Sequence, residues 1–289
     1  MLLRWRLRWL RPRRKKGPPA PQVVAVADQE VATPIGGFKF THLTLSPDNI
    51  LPNWYKFNGV ATNLADHSWA LVFFKATFIG ASGEAVSTEQ LYYSNIGALQ
   101  SVRLFRSDEG ESVTFSDPPT QFKIEYLSGT LDVDYRLRMI KPVASDGLIF
   151  EDEDIQARFA LTQKAIQFEV FNKGTAPVTI DWNRVSFIDI TSSSHPVTHE
   201  GVKYVDARSS KPPSVIPPSA KLSDAVIPAD NVQFTSGEYG GWSTADLLTR
   251  SPLATSLKGC NIGVFLPMEI NGVQKNYVFS FEITDVLLK

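Results

Sequence analysis

The chain has 289 residues, 43% of them hydrophobic, with six Trp and eighteen Phe; this is enough apolar mass for about two folded domains and too much for a disordered chain. A single cysteine, Cys260, excludes an intrachain disulfide, and no stretch reaches the ~20 apolar residues of a membrane-spanning helix. The formal net charge of −1 conceals a split: residues 1–16 carry eight positive charges and no acid, and removing them from the 29 basic residues leaves 21 against 30 acidic ones, about −9 for the remainder.

Residues 1–37 read as a basic Arg/Trp tail and a Pro-rich linker, the GPPAPQ segment favouring an extended chain. In the tail Arg4, Trp5, Arg6, Arg8, Trp9, Arg11, Arg13 and Arg14 interleave cations with indoles. That pattern fits contact with an anionic membrane surface, indoles at the headgroup level. It also fits docking to a partner protein, or to RNA through phosphate contacts and stacking, with nucleic acid the least favoured partner. Two further readings stay open: a displaced export signal, whose basic segment lacks a 7–15-residue apolar core, and an extension ahead of the true start.

A first β-domain is expected over 38–145, opening on the alternating FKFTHLTL, with strands near 54–63, 69–79, 86–94 and 100–106. Residues 119–140 alternate most cleanly: Leu131, Val133, Tyr135, Leu137 and Met139 on one face, Asp132, Asp134, Arg136 and Arg138 on the other. The segment KPVASDGLIFEDED at 141–154 marks a boundary, and a second β-domain follows over 146–289. Its strands are expected near 156–161, 165–172, 177–188, 196–204, 232–235, 260–270 and 274–284, with the Pro-rich loop KPPSVIPPSAKL between two of them. Asn271-Gly272 predicts a two-residue hairpin turn. The only helix expected in the body is one short turn within 243–249.

The two domains share an internal echo. Displacing residues 57–83 by 109 positions puts Asn63 on Asn172, Trp69 on Val178, Leu71 on Ile180, Phe73 on Trp182, Lys75 on Arg184 and Phe78 on Phe187 without gaps. Each copy reads as a strand, a turn opened by Asn, and a second strand, the Asn tolerating left-handed backbone or bonding its own chain. The fold class expected is all-β: two immunoglobulin-like antiparallel β-sandwich domains behind a flexible tail.

Reactive constellations are few. His195 and His199, with Glu200 and Asp206, are the one cluster resembling metal ligands, but Pro196 makes the segment extended, and a spacing of four then separates the rings by about 13 Å, too far to share a zinc ion. Both His are read instead as buried or sheet-edge residues bonded to backbone. The acidic run 151–154 lacks the spaced pattern of a calcium loop and reads as a solvated linker. There is no Gly-x-Ser-x-Gly elbow and no phosphate-cradling glycine loop, and Cys260 reads as buried at the start of a core strand. No catalytic, cofactor or metal residue is assigned, and no cofactor is expected. Trp54, Tyr55, Tyr239 and Trp242 are candidate loop contacts for a protein or carbohydrate, as is Tyr92-Tyr93; Trp69 and Trp182 read as core.

Residues 168–234 and 263–283 resemble an uncharacterised family of bacterial cell-envelope proteins, many of them lipoproteins. The match rests on Asp181-Trp182, Ser186-Phe187, His199, Gly201-Val202-Lys203-Tyr204, Pro217-Pro218 and Leu266-Pro267. Residues 38–107 are more loosely similar to FxLYD-type immunoglobulin-like modules, through Val60, Asn63, Phe78, Gly83 and Phe105. The resemblance implies an extracytoplasmic β-sandwich protein. The resulting expectation is a non-enzymatic binding or structural protein of the cell envelope, contacting protein or an envelope polymer. The alternative is a subunit of a larger assembly, docked to protein, membrane surface or RNA by its Arg/Trp tail.

Overall fold

The structure, a computed structural model, describes residues 23–48, 54–104, 111–115, 119–237 and 240–289. The tail residues Arg4 to Arg14, with Trp5 and Trp9, and the loop candidate Tyr239 lie outside the described residues. The strands in chain order are β1 (Val24–Ala25), β2 (Gln29–Ala32), β3 (Gly37–Pro47), β4 (Trp54–Asn63), β5 (Trp69–Ile79), β6 (Ala85–Ile96), β7 (Ser101–Arg103), β8 (Glu111–Thr114), β9 (Gln121–Leu131), β10 (Val133–Lys141) and β11 (Ile149–Glu151). They continue as β12 (Ile155–Leu161), β13 (Ile166–Asn172), β14 (Val178–Ile180), β15 (Ser186–Ile188), β16 (Ser194–Thr198), β17 (Ser214–Ile216), β18 (Lys221–Pro228), β19 (Val232–Thr235), β20 (Gly241–Thr244), β21 (Asn261–Ile270) and β22 (Val273–Leu288). Helix is confined, among the described residues, to 3-10 turns at Tyr204–Asp206, Ala229–Asn231 and Pro252–Leu257. The turn expected within 243–249 is instead the end of β20 and an irregular segment, and the helical turn comes later, where Pro252 takes its first position behind the Ser251 cap. No helix among the described residues is long and apolar enough to cross a membrane. The fold is all-β, built of antiparallel sheets, one of them nearly closed.

The chain divides into two compact units. The first comprises residues 1–64, 74–91 and 100–127, the second residues 65–73, 92–99 and 128–289. A three-stranded sheet ordered β6-β5-β9 contributes residues to both.

In the first unit β3 and β4 form the centre of a sheet ordered β1-β3-β4-β7, with β2 added to β3 and β8 to β4. Pairing therefore starts ahead of Phe38: Gln29–Ala32 run along Phe40–Gly37. The strands form because apolar residues alternate with polar ones and are buried on one side. Phe38, Phe40, Phe57, Phe74 and Phe78 are fully buried, and they meet edge to face, Phe38 and Phe40 each 5.0 Å from Phe74 and Phe57 4.8 Å from Phe122. Such pairs add about 0.5–1.5 kcal/mol each beyond their area burial. One sheet edge is closed by a side chain. The Gln29 amide donates to the Phe122 carbonyl at 3.0 Å and accepts from Ile124 N–H at 2.9 Å, standing in for a neighbouring strand on β9.

In the second unit nine strands follow one another as β10-β22-β21-β15-β16-β18-β13-β12-β11, and two more complete the sheet, β14 on β21 and β17 on β14. The core holds Phe159, Phe168, Trp182, Phe279 and Phe281, with Phe159 4.5 Å from Phe279 and 5.2 Å from Phe281. The β21–β22 hairpin pairs Ile270 with Val273, and Asn271 (φ 51°) and Gly272 (φ 73°) both take left-handed backbone, as a type I′ turn requires. The acidic run is no linker: it is the turn between β11 and β12. Asp152 Oδ1 accepts the Asp154 and Ile155 N–H groups at 2.9 Å, and its Oδ2 accepts the Tyr277 hydroxyl at 2.7 Å. Lys275 pairs with both Glu153 and Asp154.

The internal echo persists in burial at three of its pairs, Asn63 with Asn172, Trp69 with Val178 and Phe78 with Phe187, but Leu71 and Phe73 are half-buried where Ile180 and Trp182 are buried. Asn63 and Asn172 are fully buried, as are Trp69 and Val178. Asn172 bonds its own chain: Nδ2 donates to the Ala176 and Ile216 carbonyls at 2.8 and 2.9 Å, and Oδ1 accepts Gly174 N–H at 3.0 Å. The second strand differs. It is continuous as β5 but splits into β14 and β15, because Asp181 turns the chain by accepting both Asn183 N–H at 3.0 Å and its side-chain amide at 2.9 Å. Gly129 makes room for Trp69, whose ring would lie 2.5 Å from any Cβ at that position.

Candidate binding surface

β15 and β16 form a hairpin whose loop is organised by one carboxylate. Asp189 Oδ1 accepts Thr191 N–H at 2.8 Å, the Thr191 hydroxyl at 2.7 Å and Ser193 N–H at 2.9 Å, while Oδ2 faces His195 Nε2 at 3.0 Å. Burial opposes ionisation of Asp189, but the hydrogen bonds from Thr191, His195 and Ser193 outweigh it and hold its carboxyl at about 2. The other nitrogen of His195, Nδ1, faces Asp230 Oδ2 at 3.4 Å, and Asp230 Oδ1 accepts Arg208 Nη2 at 3.0 Å. A carboxylate at each nitrogen favours the protonated ring. The hydrogen bond to Asp189 is the main cause that raises its pKa, burial opposes it, and Asp230 adds to it.

His195 and Asp230 stand at the mouth of a cavity of about 250 Å³. Phe187, Leu248, Leu257 and Ile262 form its apolar floor, and Asp189 and Asp246 complete the acidic rim. Asp246 is exposed. Asn231 and Asp246 also flank a two-stranded ribbon, β19–β20, closed at its root by Ala245 N–H to the Asn231 carbonyl at 2.8 Å. β19 and β20 pair only with each other. Across this ribbon Phe234 pairs with Trp242, their ring centroids 5.3 Å apart and the side chains 61% and 45% exposed.

Four residues beyond His195 the second histidine has a different setting. His199 stacks on Trp182 with centroids 3.9 Å apart and planes 4° apart. Its Nδ1 bonds Asp224 Oδ2 at 3.1 Å, while Asp224 Oδ1 accepts Glu200 and Ala225 N–H at 2.8 and 2.7 Å. Trp182 is anchored through Nε1 to the Ser214 hydroxyl at 2.9 Å. Asp224 and Trp182 are buried, so this is a packed polar lock holding the turn after β16.

The segment from His195 is extended as expected but β16 ends at Thr198, and the strand expected on to 204 is replaced by a turn and the 3-10 turn at Tyr204–Asp206; the two histidines serve separate sites. Their bonds go to carboxylates and not to backbone, a correction that follows from Asp189, Asp224 and Asp230 arriving on neighbouring segments. No group of three His, Cys, Asp or Glu side chains among the described residues is placed to hold a metal ion. Trp54 and Tyr55, offered as contacts at a strand end, open β4 as its expected bounds have it, but alternation points only Trp54 outward and buries Tyr55 at 3% exposure against Phe115. Tyr92 (63% exposed) and Tyr93 (7%) divide in the same way on β6. Cys260 is half-buried ahead of β21. Phe234 and the three rim aspartates escaped the sequence reading; the one local cue was Asp189 before Thr-Ser-Ser, a turn-forming composition. No protein-family model matches the chain, and no curated protein matches it.

Proposed function

We propose that this chain is a non-enzymatic binding or structural protein of the cell envelope, made of immunoglobulin-like β-sandwich units that act through contacts with protein or an envelope polymer. The observation that carries the reading is the Phe234–Trp242 pair: two large rings side by side and exposed on a ribbon outside the main sheets. Aromatic side chains presented in this way supply contact area at little entropic cost and dominate binding energetics where they occur. The resemblance of residues 168–283 to envelope proteins supports the compartment. The eight cations of residues 1–16 favour a second contact, with an anionic membrane surface.

The test uses the full chain and the double variant Phe234→Ser/Trp242→Ser. The wild type is expected to co-sediment with purified sacculi or to cross-link to a defined envelope protein, and the variant to lose that association at least tenfold. Equal association by both proteins would refute the contact role of the ribbon.

A further inference from the structure

We infer that the cavity at the root of the β19–β20 ribbon is a receptor for the cationic head of a lysine or arginine side chain on a protein partner. The inference rests on the contact role proposed for the ribbon and names the chemistry of what it contacts.

Charge and shape both point to this occupant. Asp189, Asp230 and Asp246 set three carboxylates around the cavity against one guanidinium, Arg208, which is bound to Asp230. That leaves two net negative charges when His195 is neutral and one when it is protonated. The Asp246 carboxylate has no hydrogen-bond or salt-bridge partner among the described residues, so it is available to an incoming cation. An anion would be repelled, and a neutral polyol would leave the carboxylates uncompensated. A metal ion lacks a ligand set, because the His195 ring separates Asp189 from Asp230 and takes one oxygen from each. The floor of Phe187, Leu248, Leu257 and Ile262 suits the methylene stem of a long cationic side chain, which gains by burying its carbons while its head stays polar. The Phe234–Trp242 pair, on the ribbon whose root residues Asn231 and Asp246 line the cavity, offers apolar and cation–π contacts to the residues flanking that side chain. This favours a polypeptide over a free amine.

His195 makes the site pH-dependent. The charged groups around its ring are Asp189 from the β15–β16 loop, Asp230 from the short 3-10 turn, Arg208 bound to Asp230, and Asp246 on the same cavity lining. Protonated His195 competes with the incoming cation for the carboxylates of Asp189 and Asp230, so binding weakens as the pH falls. By reciprocity a bound cation lowers the pKa of His195.

The probes are n-butylammonium and n-butylguanidinium, with n-butanol as the uncharged control, titrated into the full chain and followed by the NMR signals of the His195 ring. Both cations are expected to saturate with dissociation constants on the order of 1 mM, and n-butanol to bind at least about tenfold more weakly. Asp246→Asn, an exposed and unpartnered position, is expected to weaken both cations by about fivefold while leaving the fold intact. Lowering the pH through the His195 transition should weaken them further. Absence of saturable binding, equal affinity for n-butanol, or an unchanged affinity in Asp246→Asn would each overturn the inference. If the cations fail to bind while Phe234→Ser/Trp242→Ser still loses envelope association, the cavity inference falls and the contact reading stands. If the cations bind but the double variant keeps its association, the contact reading falls instead.

Discussion

His195 and His199 lie on one short segment, yet one helps hold the fold together and the other faces a cavity. His199 is stacked on buried Trp182 and bonded to buried Asp224, which also ties down two backbone N–H groups. His195 sits between Asp189 and Asp230 with 30% of its side chain exposed. Burial decides between these roles. A carboxylate in the interior is costly unless all its acceptor positions are used, so removing one member of such a pair is severe. The same pair near water is weak and free to titrate.

The comparison can be broken at its strong end first. Asp224→Ala leaves His199, Glu200 N–H and Ala225 N–H without their acceptor and is expected to cost about 3–5 kcal/mol in denaturant unfolding; a loss below about 1 kcal/mol would show that the stack is not a lock. Asn172→Ala orphans the Ala176 and Ile216 carbonyls and Gly174 N–H, with an expected cost of roughly 1–3 kcal/mol. A cost within error of zero would remove Asn172 from the devices that hold the second unit.

At the weak end, His195→Ala is expected to cost well under about 1 kcal/mol, with a pH signature. The hydrogen bond to Asp189 raises the folded-state pKa of His195 above its usual 6.5. Its stabilisation is therefore complete below about pH 6.5 and is lost as the pH rises through the folded-state value. The wild type and His195→Ala should differ in stability under mildly acidic conditions and converge in alkali. A difference that grows with pH would contradict the assignment.

How much of this was legible in the sequence depended on whether the cue was local. Asn271-Gly272 carries its own turn geometry, and the long alternations of β4 and β5 gave strand bounds that agree with the structure. β18 was missed: KLSDAVIP opens on four residues of mixed polarity and ends on proline, and its burial comes from being flanked by β13 and β16. The break between β14 and β15 comes from Asp181 and Asn183 turning the chain, and it coincides with a shift of the apolar residues from even positions (178, 180, 182) to odd ones (185, 187), a local cue that the single expected strand ran across. At Trp54-Tyr55 composition located two aromatics, and only strand parity decided which of them is buried. The cavity was out of reach, since the β15–β16 hairpin that carries Asp189 and His195 meets Asp230 and Asp246 only when the second unit folds.

The most direct test of the contact role measures thermal stability and envelope association on the same sample of Phe234→Ser/Trp242→Ser. Exposed residues away from the core change stability by no more than about 0.5 kcal/mol, so the predicted result is an unchanged melting transition with association lost. A double variant that melts as the wild type does and still associates would contradict the account.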